Sequence, residues 1–202
     1  MKKSKETLVL GIAVVIFLWF GYYAIASGVT DYVNDAIVSI VVVGVLYKGR
    51  KKLGLSAGGL AGVAIAFIFH DLGVFGFYNQ SPVVMQWDHI THIIGSAAFM
   101  GVVWQYMKRF VGGEKFQNGM LYGIMVLTVL GIGVIIEFYE FTGFFIVGEG
   151  MGGLGHGLGD IVTELGNSEW FNTMFDMIYN VIGAGAALAV IMVGRKWKKD
   201  EG

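Results

Sequence analysis

Two carboxylates inside an apolar run are the first residues in this chain that ask for a chemical explanation. Glu137 and Glu140 lie within Ile132–Phe145, IGVIIEFYEFTGFF. Three residues apart, they share a face if the run is helical. Charged groups in hydrocarbon are costly unless paired, protonated or hydrated, and such acids hold metals, move protons or line a site. Two other stretches offer matching groups. Asp88 and His92 are four residues apart, and Asn172, Asp176 and Asn180 recur at four-residue intervals, with Gly183 just below. Carboxylates with imidazole suit Zn, Mn or Fe, whereas an all-oxygen set suits Mg or Ca. The expected active set is therefore Glu137, Glu140, His92, Asp88, Asp176 and Asn180. Within it, Asp88, His92, Glu137, Glu140 and Asp176 hold a divalent metal or carry protons, and Asn180 orients a ligand. Diiron bundles use a tighter Glu and Glu-x-x-His pattern on facing helices.

These residues need helices to position them, and the composition supplies those. Of 202 residues, 55% are hydrophobic and 14% charged, with 32 Gly and one Pro. Soluble domains carry about a quarter charged residues. The expectation is an all-α, polytopic membrane helix bundle forming a single integral membrane domain over residues 1–202. Six spans are read, at about 8–26, 32–47, 55–78, 88–107, 119–147 and 174–193. The second is short for a bilayer span, and is read as tilted or partly interfacial. The first is read as a retained helix rather than a signal peptide. Zero cysteines exclude disulfides, Cys metal sites and thiol nucleophiles.

Charge distribution adds an orientation. With six spans, all 14 Lys and Arg fall on one side: at the N-terminus, at 48–52, at 108–115 and at 195–199. The positive-inside rule then makes both termini cytoplasmic, in the cell membrane. The basic clusters serve orientation and lipid headgroups, not nucleic acid. The same topology gathers His70 and Asp71, Asp88, His89 and His92, Glu137 and Glu140, and Asp176 and Asn180 into the outer half of the bilayer.

Plainer roles stand beside the chemical ones. Asp88 and Asp176 suit helix N-caps. Glu137 and Glu140 suit a structural pair inside the bundle. His89 points away from the site and reads as interfacial, and His70 and Asp71 read as markers of the membrane surface. Trp19, Trp87, Trp104 and Trp197 read as interface anchors. The glycines of 148–159 have GxGxxG spacing but no preceding strand, so the segment reads as an outer loop, with His156 and Asp160 able to reach the site as a lid.

Asp-x-x-x-His opening one helix, Glu-x-x-Glu in a later one, and Asp-x-x-x-Asn-x-x-Gly in the last resemble the YjdF-like family of bacterial and archaeal membrane proteins. The set is also similar to the wider VanZ-like group, whose founding member is linked to teicoplanin resistance. The resemblance covers residues 88–183, and it implies that Asp88, His92, Glu137, Glu140, Asp176 and Asn180 are the family's polar residues. Asn172 stands where family members often carry an acid, and Glu140 where VanZ-like proteins often carry Gln. No reaction comes with the resemblance.

Three functions fit. A metal-assisted membrane enzyme acting on a lipid or polyprenyl-linked substrate uses the outer polar set and the bilayer as its source of substrate. A proton-coupled transporter needs a polar path to the inner side, where the fourth to sixth spans offer little beyond Gln105 and Thr128. A non-catalytic scaffold uses the polar set as a structural network.

Overall fold

The computed structural model describes residues 4–110, 118–147 and 169–200. Every regular element among them is helical: α1 (Lys5–Ser27), α2 (Tyr32–Leu53), α3 (Ala57–Asp71), α4 (Trp87–Met107), α5 (Asn118–Val147) and α6 (Glu169–Asp200), with short 3-10 turns at Leu72–Phe75 and Lys108–Phe110. Five of the helices are long and apolar enough to cross a bilayer. The sixth, α4, has 21 residues, about 31 Å at the helical rise. Its chemistry-bearing residues Asp88, His89 and His92 lower its hydropathy.

Local chemistry sets several ends. Ser4 and Ser56 accept hydrogen bonds from the Thr7 and Gly59 amides, capping α1 and α3. Gly28 (φ 79°) and Gly54 (φ 65°) end α1 and α2 in the left-handed conformation that glycine adopts without strain. Three boundaries differ from the sequence reading. Helix α2 continues to Leu53, so Arg50, Lys51 and Lys52 form its last turn, where cations complement the helix dipole. The third span stops at Phe75, where the chain tightens into a 3-10 turn and Gly76 (φ 83°) closes it. Helix α6 begins at Glu169, five residues earlier than expected from hydropathy alone.

The helices pack as two groups of three. In α1, α2 and α3 the core is built on Phe17, Val43, Leu60 and Val63. In α4, α5 and α6 it is built on Met100, Met125, Val129 and Ala184. The groups meet mainly along α3 and α4. There the Trp87 indole N–H donates to the Phe69 carbonyl at 2.9 Å, and its ring stacks on Phe69. Trp87 is 6% exposed, so it is an interior joint between helices and not an interface anchor. Trp19 does face outward. At the other end of the joint, the Gln105 side-chain oxygen accepts from the Ser56 amide at 2.7 Å.

Lipid gives little hydrophobic drive between helices, so close approach relies on small residues. A Cβ at Gly183 would collide with the Ile93 carbonyl and Ser96 Oγ, so this glycine lets α6 lie against α4. A Cβ at Gly133 would come within 2.7 Å of the Asn180 side-chain nitrogen, so that glycine makes room for Asn180 between α5 and α6.

Between the two groups lies a cavity of about 330 Å³. Helices α2 and α3 wall one side, α5 the other and α4 the back, with Asn180 reaching in from α6. Ile135 lines the cavity and is also 66% exposed on the outer surface of α5. The mouth therefore reaches the lipid-facing side of the bundle.

Candidate functional site

Three of the expected residues converge. His92 Nε2 lies 3.6 Å from Asp88 Oδ1 and 3.5 Å from Asp176 Oδ1. One donor atom from each of Asp88, His92 and Asp176 falls within 4.8 Å of the others. Helical spacing explains the first pair, since residues 88 and 92 stand one above the other on α4. Helix packing explains the third member. Asn172, Asp176 and Asn180 form a stripe on α6 that is buried throughout, and the glycine contact at Gly183 brings that stripe against α4.

These separations are long for N–H···O hydrogen bonds, which cluster near 2.9 Å. They match the distance between two ligands of one ion. A tetrahedral ion with arms of about 2.1 Å spaces its donors about 3.4 Å apart. Asp176 is 0% exposed, and neither of its carboxylate oxygens has a hydrogen-bond partner. Burying an acid without such a partner is costly. Residues 53–107 and 116–194 contain no Lys or Arg to offset it. A divalent cation held by two carboxylates and one neutral imidazole removes that cost, so the donor set fits a metal.

The imidazole is oriented for this role. His92 Nδ1–H donates to Asn180 Oδ1 at 3.4 Å, leaving Nε2 directed at the two carboxylates. A hydrogen bond through the second ring nitrogen commonly fixes a metal-binding histidine. Ser96 Oγ–H donates to the His92 carbonyl at 2.7 Å. Asn180 thus acts on His92, in addition to facing the cavity.

Glu137 and Glu140 stand outside the three-donor set. Both lie close enough to Asp176 to act on it electrostatically. Glu140 lines the cavity, whereas Glu137 is buried beyond its wall. Neither Asp88 nor Asp176 is a helix cap. Gln86 occupies the cap position of α4, with Asp88 inside the first turn, and Asp176 sits two turns into α6.

The histidines outside this set are interior too. His89 turns away from the site, as expected, but stacks on Tyr179 at 4.0 Å and is buried between helices instead of interfacial. His70 and Asp71 do not mark the membrane surface. Asp71 is buried and accepts a hydrogen bond from Ser39 Oγ–H at 3.2 Å. His70 lines the cavity, with Nδ1 2.7 Å from the Tyr78 hydroxyl and Nε2 3.6 Å from Asp35 Oδ2. Asp35, which the sequence reading did not assign to the site, is 3% exposed inside α2 and also lines the cavity. Its four-residue spacing to Ser39 was the available signal. The proposed lid residues His156 and Asp160 and the 148–159 glycines lie outside the described residues.

Below the polar groups the cavity turns apolar. Val42, Phe67, Phe99, Val129 and Ile132 are among its remaining walls, with Thr91, Ser96 and Tyr139 adding a few polar groups. The inner-half polar residues named above do not extend a path from it. Gln105 caps α3, and Thr128 bonds back to the Ile124 carbonyl on an exposed face.

No curated protein and no solved structure is detectably similar to the chain. One family profile matches it, described as "Predicted membrane protein (DUF2238)", over residues 6–197. That span takes in nearly all of the six helices and every donor described above, so the chain belongs to the DUF2238 family of membrane proteins.

Proposed function

We propose that the protein is a metal-assisted membrane enzyme whose substrate is a lipid or polyprenyl-linked molecule. On this reading both termini are cytoplasmic, the site lies in the outer half of the cell membrane, and the family match is the YjdF-like group by another description. The observation that carries the reading is the join of two unlike surfaces in one cavity: a three-donor cation site at one end and an apolar chamber at the other, with a mouth toward lipid. A chamber of this kind takes the chain of an amphiphile and sets its headgroup bond against the donors. A divalent ion there would supply Lewis acidity toward the headgroup bond. Asp88, His92 and Asp176 would hold it, Asn180 keeps the His92 ring in place, and Glu140 on the cavity wall is placed to accept a proton. A permease is less well supported, because the chamber ends in apolar side chains.

The test is metal-dependent turnover of membrane lipid. The protein is loaded with Zn²⁺ or Mn²⁺ in mixed micelles with extracted bacterial lipids, and products are followed by mass spectrometry. Products formed by the parent and lost in Asp176→Asn support the reading. Metal-loaded parent that changes no lipid overturns it.

A further inference from the structure

Helix α4 carries both ends of the chamber. Its lining residues are Asp88, Thr91, His92, Gly95, Ser96 and Phe99, a single helical face with the donors at the top and Phe99 at the bottom. Phe99 packs against the cores of both helix groups, so it closes the seam between them. Beneath the lowest lining residues, Val43, Val63, Met100 and Met125 are 0% exposed. The chamber therefore has a floor. His92 and Phe99 are seven residues apart, about 10 Å at the helical rise. An extended hydrocarbon advances about 1.25 Å per bond, the projection of a C–C bond of roughly 1.5 Å, so this depth matches about eight carbons.

Space and polarity agree with that length. A Cβ at Gly95 meets nothing within 4 Å, so the middle of this face borders open space. The volume of about 330 Å³ holds about eleven methylene-sized groups at roughly 30 Å³ each, room for one chain and its linkage but not for two. No Lys or Arg is among the described residues that line the cavity, so an anionic head finds no cationic side chain there. Asn180 lines it, and its side-chain nitrogen is buried without a hydrogen-bond partner, a ready donor for a carbonyl or hydroxyl oxygen. We propose that the chamber is a single-chain site that measures length: it takes one chain of about eight carbons, its end on Phe99 and its uncharged polar head beside Asn180 and the donors. The inference deepens the enzyme reading above, on which it rests for the chemistry at the head. It narrows the substrate to a one-chain amphiphile of medium length and sets polyprenyl chains aside.

Chain position can be read without metal or turnover. The full-length protein in lipid nanodiscs is irradiated with alkyl glucosides that carry a photoreactive diazirine on the last carbon, and labelled residues are identified by peptide mass spectrometry. A four-carbon probe is expected to label Gly95 or Ser96, and eight- and twelve-carbon probes to label Phe99 or Val129. Gly95→Leu fills the path and is expected to cut the floor labelling about tenfold, as overpacking of a filled site does. If that variant does not fold, Phe99→Ala decides: it removes the floor, and the twelve-carbon label moves down to Met125. Chamber walls unlabelled at every length, or floor labelling unchanged in both variants, overturn the proposal. A twelve-carbon label at Met125 in the parent overturns the floor at Phe99. A labelled floor in a protein that changes no lipid when metal-loaded sinks the enzyme reading and leaves the chain site standing.

Discussion

A single carboxamide carries much of the site's order. Asn180 holds the His92 ring by Nδ1, and it fits only because Gly133 leaves room for it. Loss of such an outer partner typically weakens metal binding by about 10–100-fold. Asn180→Ala is therefore expected to raise the Zn²⁺ Kd by that range, read by calorimetric titration, with the helical content unchanged. An unaltered Kd would mean that the carboxylates alone set the geometry. At this scale the sequence was informative where spacing is local. Asp88 with His92, and Asp176 with Asn180, were legible because four-residue steps align on a helix. Asp35 and His70 were not, because what buries them is tertiary: α2 and α3 side by side, with Tyr78 folding back from the connection. Near a helix end, a polar residue looks the same in sequence whether it meets water or a neighbouring chain segment.

Among the elements, the α4–α6 crossing is the one that assembles the cluster. Its tightest point is Gly183 against Ile93 and Ser96. Adding a methyl group there forces the two backbones apart, and overpacking of this kind typically costs about 1–3 kcal/mol. Gly183→Ala is expected to lower the thermal midpoint in detergent and to weaken Zn²⁺ binding together. Gly185→Ala, where a Cβ meets nothing within 4 Å, is the matched control and should do neither. The α3–α4 joint makes a second prediction. Gln105→Leu removes the acceptor for the Ser56 amide at an exposed position, a loss worth about 0.5–1.5 kcal/mol. The expected result is a lower midpoint with metal binding intact, since the residue lies far along α4 from His92. Helix existence and type were readable from hydropathy, but ends were not. The polar start of α6 reads as loop until its stripe of Asn172, Asp176 and Asn180 is seen packed against α4.

For the whole molecule, the two groups of three helices explain why the cavity exists. Each group satisfies its own core, and α2 and α5 are left facing one another across the chamber. Hydropathy could list the spans but could not say which helices share a core. The proposed six-span topology, with its one-sided Lys and Arg distribution, has a direct test of orientation. Because the chain has no cysteine, single cysteines introduced at exposed Asn79 and Arg109 report cleanly. Asn79→Cys is expected to react with a membrane-impermeant maleimide in intact cells, and Arg109→Cys only after lysis. The reverse pattern would invert the proposed topology. The cavity mouth at Ile135 has one more consequence. A ligand arriving there travels in the plane of the bilayer, so its encounter rate follows its mole fraction among the lipids and not its amount per volume of solution. Diluting the vesicles at fixed composition should leave the rate per protein unchanged, while diluting the ligand with inert lipid should lower it.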